Sequence, residues 1–214
     1  MYDFQQPYNS WNSIVGLQTF INFYLKLFFI LTPFFVLSAF LSLTREFQDL
    51  EKKQIAIKVT IAVMISSFVI YLFGKYIFDL FGITLDAFRI GAGTILFLSA
   101  LSMISGNNDT ASQGNDRNIA VVPLALPITV GPGVIGVLLV TGAEAGSYME
   151  KLIIGSALFL AVVTVGLILY LSTGVKRLIG EQGLMILPKI TGLFVSAIAA
   201  QIIFTGIQNF LKPS

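Results

Sequence analysis

The sequence contains no cysteine and no histidine, and only 11% of its 214 residues are charged. Without cysteine the chain cannot form a disulfide or carry out thiol redox chemistry, and without histidine it lacks the commonest zinc ligand. A soluble domain typically carries about 25% charged residues, whereas here 56% of the residues are hydrophobic. These absences exclude thiol redox carriers and histidine-based metalloproteases, and they indicate a chain that lies in lipid.

Acidic residues are as sparsely placed as basic ones. The net charge is +2, and the basic residues form short clusters between apolar blocks instead of one patch, which argues against a nucleic-acid partner. No carboxylate falls at mid-depth of an apolar segment, so neither an aspartyl-protease dyad nor a carboxylate proton relay has evident residues. We therefore predict no enzyme, no catalytic residue, no bound metal and no cofactor beyond a coupling Na⁺ or H⁺.

Long apolar runs are the main positive signal. A helix needs roughly 20 residues, at 1.5 Å each, to cross a hydrocarbon core about 30 Å thick. Six runs are long enough, at residues 17–43, 55–80, 83–105, 119–141, 152–175 and 190–211. They predict an all-α membrane protein with six transmembrane helices in one domain that covers residues 1–214.

Basic residues are distributed unequally between the two sides of this predicted bundle. The side with loops 1/2, 3/4 and 5/6 carries Arg45, Lys52, Lys53, Lys58, Arg117, Lys176, Arg177 and Lys189. The other side carries Lys75, Arg89, Lys151 and Lys212. Because basic loops remain cytoplasmic, we predict a multi-pass protein of a cytoplasmic (inner) membrane with both termini outside.

The two halves of the chain resemble each other at an offset of 99 to 100 residues. Pro33 coincides with Pro132, Tyr71 with Tyr170, and Gly106 with Gly206. Three helices per half make the copies antiparallel, so the sequence predicts two inverted repeats, about 17–106 and 119–211, as in many secondary transporters. Coincidence is the alternative, since apolar segments match one another easily.

Prolines and glycines interrupt the fourth apolar run. It contains Pro123, Pro127 and Pro132, together with Gly131 and Gly133. Each proline removes a backbone donor and clashes with the preceding turn, and in lipid the released polar groups persist only where protein or a wet cavity surrounds them. The fourth helix is therefore predicted to be discontinuous near residues 129–133.

Pro132 suits the first turn of a half-helix, whose free amides and positive dipole end would favour a carboxylate. Thr32-Pro33 predicts a milder break in the first helix, although an ordinary kink is the alternative there. Gln201, in the middle of the last run, is a candidate for substrate binding or for an interhelical hydrogen bond. The predicted substrate-binding residues are Thr32, Pro33, Phe34, Thr129, Gly131, Pro132, Gly133 and Gln201.

Two further charged positions carry expectations. Asp86 and Arg89 are three residues apart near the start of the third run, so they are expected to pair near the membrane surface. Lys26 is expected to extend outward to the interface.

Several motifs in order resemble those of the MarC family. Phe-Arg-Ile-Gly-Ala-Gly at residues 88–93, Val-Pro-Leu-Ala-Leu-Pro at 122–127 leading to Gly-Pro-Gly at 131–133, and Gly-Glu-Gln-Gly-Leu at 180–184 carry the resemblance, which extends over about 27–206. The family's first discontinuity commonly has Asn or Asp before Pro, then Ile-Gly-Asn and a second Pro. This chain departs from that pattern over residues 32–38.

The resemblance implies six helices in two inverted halves, related in fold to the lysine exporter superfamily. It also implies transport of small neutral amino acids such as glycine and alanine, by cation-coupled uptake or by export. A passive channel and a structural or signalling membrane protein are the other functions that the sequence leaves open.

Overall fold

The structure of the protein, a computed structural model, describes the backbone of residues 7–106 and 129–211 and the side chains of residues 16–74, 76–106 and 129–211. Within these ranges all regular secondary structure is helical. The helices are α1 (Pro7–Ile30), α2 (Pro33–Leu43), α3 (Asp49–Phe81), α4 (Leu85–Ser105), α5 (Pro132–Glu144), α6 (Tyr148–Tyr170) and α7 (Ser172–Leu211). This confirms the predicted all-α membrane class for the described part of the chain.

Five segments among the described residues are long and apolar enough to cross a membrane. They are Gly16–Leu43, Asp49–Gly74, Leu85–Ser105, Tyr148–Tyr170 and Ser172–Leu211, and they overlap five of the six predicted spans. Helix α5, with 13 residues, is too short to do so by itself. The start of the fourth predicted span, with Pro123 and Pro127, and the predicted loop before it lie outside the described residues. The sixth crossing therefore stays a prediction.

The first span is broken at Thr32-Pro33. Proline disfavours the α conformation at the preceding residue and supplies no backbone N–H. Thr32 lies in the left-handed region, at φ 49° and ψ 55°. Its N–H donates to the Phe29 carbonyl at 3.0 Å, and its own carbonyl accepts the first bond of α2, from Val36 N–H at 3.0 Å. The predicted interruption of the first helix is thus present.

The connection between the last two predicted spans is shorter than the sequence suggested. Helix α7 follows α6 after the single residue Leu171, and its only non-helical residue is Gly180, at φ 69° and ψ 177°. Gly180 lies 98 residues after Gly82, which ends α3 at φ 61°. The first turns of α7 therefore extend α6, and the last long helix begins after Gly180, because glycine alone adopts this conformation without strain.

The broken first span lies at the centre of the bundle. Half of the residues in its most apolar window (50%) are buried, compared with 28% for α3 and for α4. The residues on both sides of the break belong to the main hydrophobic core, including Leu27, Ile30, Leu31, Val36, Leu37 and Phe40. The break is therefore enclosed by protein, where exposed backbone groups are tolerated.

The crossing of α4 and α7 is nearly symmetric. A Cβ on Gly93 would lie 2.7 Å from Ile203 Cγ1 and 3.2 Å from the Ala199 carbonyl oxygen. A Cβ on Gly192 would lie 3.0 Å from Ile104 Cγ1 and 2.9 Å from the Ala100 carbonyl oxygen. Each of these pairs of residues is separated by 99 positions in the sequence: 93 and 192, 100 and 199, 104 and 203.

The crossing of α3 and α6 shows the same near-symmetry. The Tyr71 hydroxyl donates to the Lys151 carbonyl at 3.2 Å, while the Lys53 ammonium lies 5.3 Å from the ring centroid of Tyr170. The tyrosines are 99 residues apart and the lysines 98. The two short helices occupy equivalent positions, since α2 of the first half packs against α6 and α7 and α5 of the second half packs against α3 and α4.

Candidate functional site

Two helices of the bundle begin with a proline inside the apolar region. Pro33 opens α2 and Pro132 opens α5. In each case the residue before the proline accepts the first helical hydrogen bond: Val36 N–H donates to Thr32, and Ile135 N–H donates to Gly131, both at 3.0 Å. The two starts are therefore built alike, 99 residues apart.

The amides in the first turns of these two helices have no cap. Other helices satisfy theirs with side chains: Thr84 Oγ1 accepts from Ala87 N–H at 3.3 Å in α4, and Ser147 Oγ accepts from Glu150 N–H at 3.1 Å in α6. Neither α2 nor α5 has a side-chain cap, and no backbone acceptor within the described residues takes the second- and third-position amides. The positive ends of both helices, which carry no side-chain cap, are suited to an anion.

Buried threonine side chains accompany both starts. Thr32 is 5% exposed and Thr129, two residues before Gly131, is 1% exposed. Leu31 and Val130, beside them, belong to the same hydrophobic core cluster. Both breaks therefore border the main hydrophobic core of the bundle.

Packing distinguishes the second break from the first. A Cβ on Gly133 would lie 2.8 Å from Leu96 Cδ1 and 3.0 Å from Leu96 Cα, and one on Gly136 would collide with Ala92. These glycines let α5 lie directly against α4. The predicted substrate residue Gly133 therefore has its Cα hydrogen, in the place of a side chain, directed at Leu96 of α4. Phe34, the residue at the Gly133 position of the first half, is only partly buried, and Pro132 is exposed.

Gln201 lies apart from both breaks. Its side chain is exposed on α7, and its backbone carbonyl accepts a hydrogen bond from Thr205 Oγ1 at 2.8 Å. The inward face of α7 is formed by other residues, Val195, Ala199 and Ile202 among them. The structure does not bring Gln201 to the remaining predicted site residues.

A charged network that the sequence indicated only in part lies at the other end of α5. Arg89 pairs with Asp86, as the three-residue spacing suggested, and also with Glu144, the last residue of α5. Asn209 Nδ2 of α7 donates to Asp86 Oδ1 at 3.3 Å. Glu144 and Asn209 gave no signal in the sequence, because only the fold brings them to Arg89.

Lys26 lies on α1 with a partly buried side chain, and its ammonium is 6.0 Å from the ring centroid of Phe23. Its expected extension to the membrane interface stays a prediction.

Comparison with known proteins places this architecture in a family. The model of the family described as "MarC family integral membrane protein" matches residues 17–211. A UPF0056 membrane protein of Methanocaldococcus jannaschii is 34% identical over 204 residues, covering 92% of this chain and 100% of its own. One of Aquifex aeolicus is 32% identical over 202 residues, covering 90% of this chain and 94% of its own. No solved structure matches. The protein thus belongs to the MarC family of integral membrane proteins.

Proposed function

We propose that this protein is a secondary transporter of small neutral amino acids, such as glycine and alanine, driven by Na⁺ or H⁺. The substrate carboxylate meets the backbone amides of Gly133 and Val134 at the start of α5. The hydroxyl groups of Thr32 and Thr129 lie close to the two breaks and bind the rest of the polar part of the substrate. The small size of the substrate follows from the tight packing around α5.

The observation that carries this proposal is the pair of proline-initiated, uncapped helix starts within the bundle. Each unpaired amide buried in an apolar region is unfavourable by an amount comparable to a lost hydrogen bond, about 1–3 kcal/mol. A ligand with a carboxylate removes that penalty in α5, where helix N-termini are suited to anions. A zwitterion also brings its own counter-charge, which suits a site without a buried cation beside Gly131.

Alternating access is the mechanism that the repeat supports. In the α4/α7 and α3/α6 crossings, each contact has a counterpart whose residues are offset by 98 or 99 positions. This pairing of contacts favours two inverted halves of three helices each. In such an arrangement one half rocks against the other around a central site. The charge distribution favours a cytoplasmic membrane location with both termini outside, and the relatives come from prokaryotes.

Flux in proteoliposomes tests the proposal. Purified protein in vesicles should take up labelled glycine or alanine saturably, and an inward Na⁺ gradient or pH gradient should increase the uptake. A gradient of one ion that drives accumulation identifies the coupling ion. Absence of saturable flux for every small neutral amino acid, under both gradients, would contradict the substrate class.

The same assay separates the other functions. A passive channel would give flux that does not saturate and that no ion gradient drives uphill. A structural or signalling protein would give no flux, and its thermal stability in detergent would not respond to glycine or alanine, whereas a transporter gains stability from its substrate.

A further inference from the structure

The charged network at the Glu144 end ties three helices together. The guanidinium of Arg89 bridges Asp86 of its own helix and Glu144 of α5, and Asn209 of α7 donates to Asp86 at 3.3 Å. The Arg89 side chain is only 11% exposed, while those of Asp86 and Glu144 are 28% and 37% exposed. The guanidinium of Arg89 is thus sheltered from water, whereas Glu144 reaches it, so the pair is a partly exposed one.

Both carboxylates of this network pair with the same cation. Asp86 and Glu144 each contact the guanidinium of Arg89, which is the least exposed of the three side chains. Loss of the Glu144 carboxylate would remove the ionic contact between α4 and α5. Loss of the Asp86 carboxylate would leave Arg89 without the second partner that holds its guanidinium in place.

The residues that correspond to this network in the other half cannot repeat it. At the offset of 99 to 100 residues, Glu144 corresponds to Arg45, Arg89 to Lys189 and Asp86 to Ile186. Two cations and an isoleucine cannot form an ion pair with one another, so the symmetry that relates the α4/α7 contacts is broken here. Both Arg45 and Lys189 are exposed. Among the described residues, this ionic contact between a short helix and its neighbour is therefore specific to α5.

We propose that Arg89 and Glu144 are positioning residues that hold α5 against α4, and that their ion pair separates each time the bundle opens at the Glu144 end. This inference rests on the proposed transport function. Helix α5 is about 18 Å long from its first to its last residue, with the first-turn amides of Gly133 and Val134 at one end and Glu144 at the other. Release of Glu144 frees the helix that carries the proposed substrate carboxylate site.

Thiol accessibility tests this proposal, since the chain has no cysteine of its own. Thr141 of α5 is 2% exposed and Ser172, at the other end of the bundle, is 1% exposed, so each can be replaced by cysteine as a reporter of its own end. In detergent-solubilised Glu144→Gln, where a water-soluble thiol reagent reaches both ends of the bundle, Thr141→Cys should react several-fold faster than in the parent, as expected for loss of a partly exposed ion pair. Ser172→Cys should stay protected.

Matched variants distinguish the ion pair from general loosening. Glu181→Gln removes an exposed pair, Lys176 to Glu181 at 2.9 Å, and should leave Thr141→Cys protected. Glu144→Asp keeps the charge and should restore most of the protection. Asp86→Asn, which removes the other carboxylate beside Arg89, should accelerate labelling of Thr141→Cys as Glu144→Gln does.

Unchanged labelling of Thr141→Cys in both Glu144→Gln and Asp86→Asn would overturn the proposal, and so would equal acceleration at Ser172→Cys. Both readings are made without substrate, so they are independent of the transport assay. Faster labelling without saturable flux in the parent would uphold the opening contact and reject the transport function. Saturable flux without faster labelling would support the transport function and reject the role of the ion pair in opening.

Discussion

Thr32 is the residue whose backbone departs most clearly from its preference. A left-handed conformation is unfavourable by about 1–2 kcal/mol for a residue with a Cβ, and a β-branched side chain makes it rarer still. The strain persists because Pro33 disfavours the helical alternative and the surrounding core, including Leu31 and Val36, fixes the chain on both sides. The strained residue lies where the proposed substrate would bind.

Gly136 provides the sharpest test at this scale. We expect Gly136→Ala to lower the stability of the protein by about 1–3 kcal/mol, because its Cβ would collide with Ala92 and overpacked sites relax poorly. Gly91→Ala on α4 is the matched control, since a Cβ there meets nothing within 4 Å. Thermal unfolding in detergent should show a lower Tm for the first variant and an equal or higher one for the second. Equal Tm values for Gly136→Ala and the parent would show that α5 does not lie against α4.

The sequence anticipated some residue contacts and missed others for a physical reason. The Asp86 and Arg89 pair follows from a spacing that helices bring onto one face. Glu144, 55 positions further along than Arg89, could not be paired with it without the fold. Gln201 illustrates the opposite case: a polar residue in an apolar helix is a natural binding candidate, but the sequence does not determine that its side chain is exposed.

Helix breaks were the most predictable elements, because proline acts locally. Pro33 and Pro132 each begin a helix in the structure, as their missing N–H requires. The division between the last two spans was less predictable. Pro188 lies within α7, since a helix in this environment can accommodate a proline. The interruption falls at Gly180 instead, and the sequence does not show which glycine adopts a positive φ.

The start of α5 carries the element-scale prediction. Gly131 has φ −70° and ψ 172°, an extended conformation open to any residue, so Gly131→Leu should fold. Its side chain should nevertheless cover the amides of Gly133 and Val134 and reduce binding of glycine or alanine at least about tenfold, the equivalent of one good hydrogen bond or more. Gly174→Leu, where a Cβ meets nothing within 4 Å, should leave binding unchanged.

Isothermal titration of the detergent-solubilised variants measures this difference. Equal affinity of Gly131→Leu and Gly174→Leu would move the substrate away from the start of α5. A loss of affinity in both variants would instead indicate an effect of leucine on the whole bundle.

At the scale of the whole molecule, few identities pointed to the internal repeat, and coincidence remained open. The contact pairs are more informative than the identities. Gly93 meets Ala199 and Ile203 as Gly192 meets Ala100 and Ile104, so a 99-residue offset relates packing as well as sequence. The halves still differ: bulky residues such as Phe34 occupy the first half-helix where Gly133 occupies the second.

Inverted halves predict a definite membrane topology. Single cysteines at Glu46 and Leu178, both exposed, should react with an impermeant thiol reagent only from the cytoplasmic side. Cysteines at Ile83 and Tyr148, also exposed, should react only from outside. Labelling of intact cells and inverted vesicles makes this comparison without background from native thiols. Reaction of Glu46→Cys and Ile83→Cys from the same side would contradict the inversion.

Counterflow in proteoliposomes tests the central claim most directly. Vesicles loaded with excess unlabelled alanine and diluted into a trace of labelled alanine should accumulate label transiently above its equilibrium level, because a carrier that alternates must return with substrate bound. Gly131→Leu should abolish this overshoot. A monotonic approach to equilibrium by the parent protein, or no uptake at all, would contradict the account of a substrate held between two broken helices.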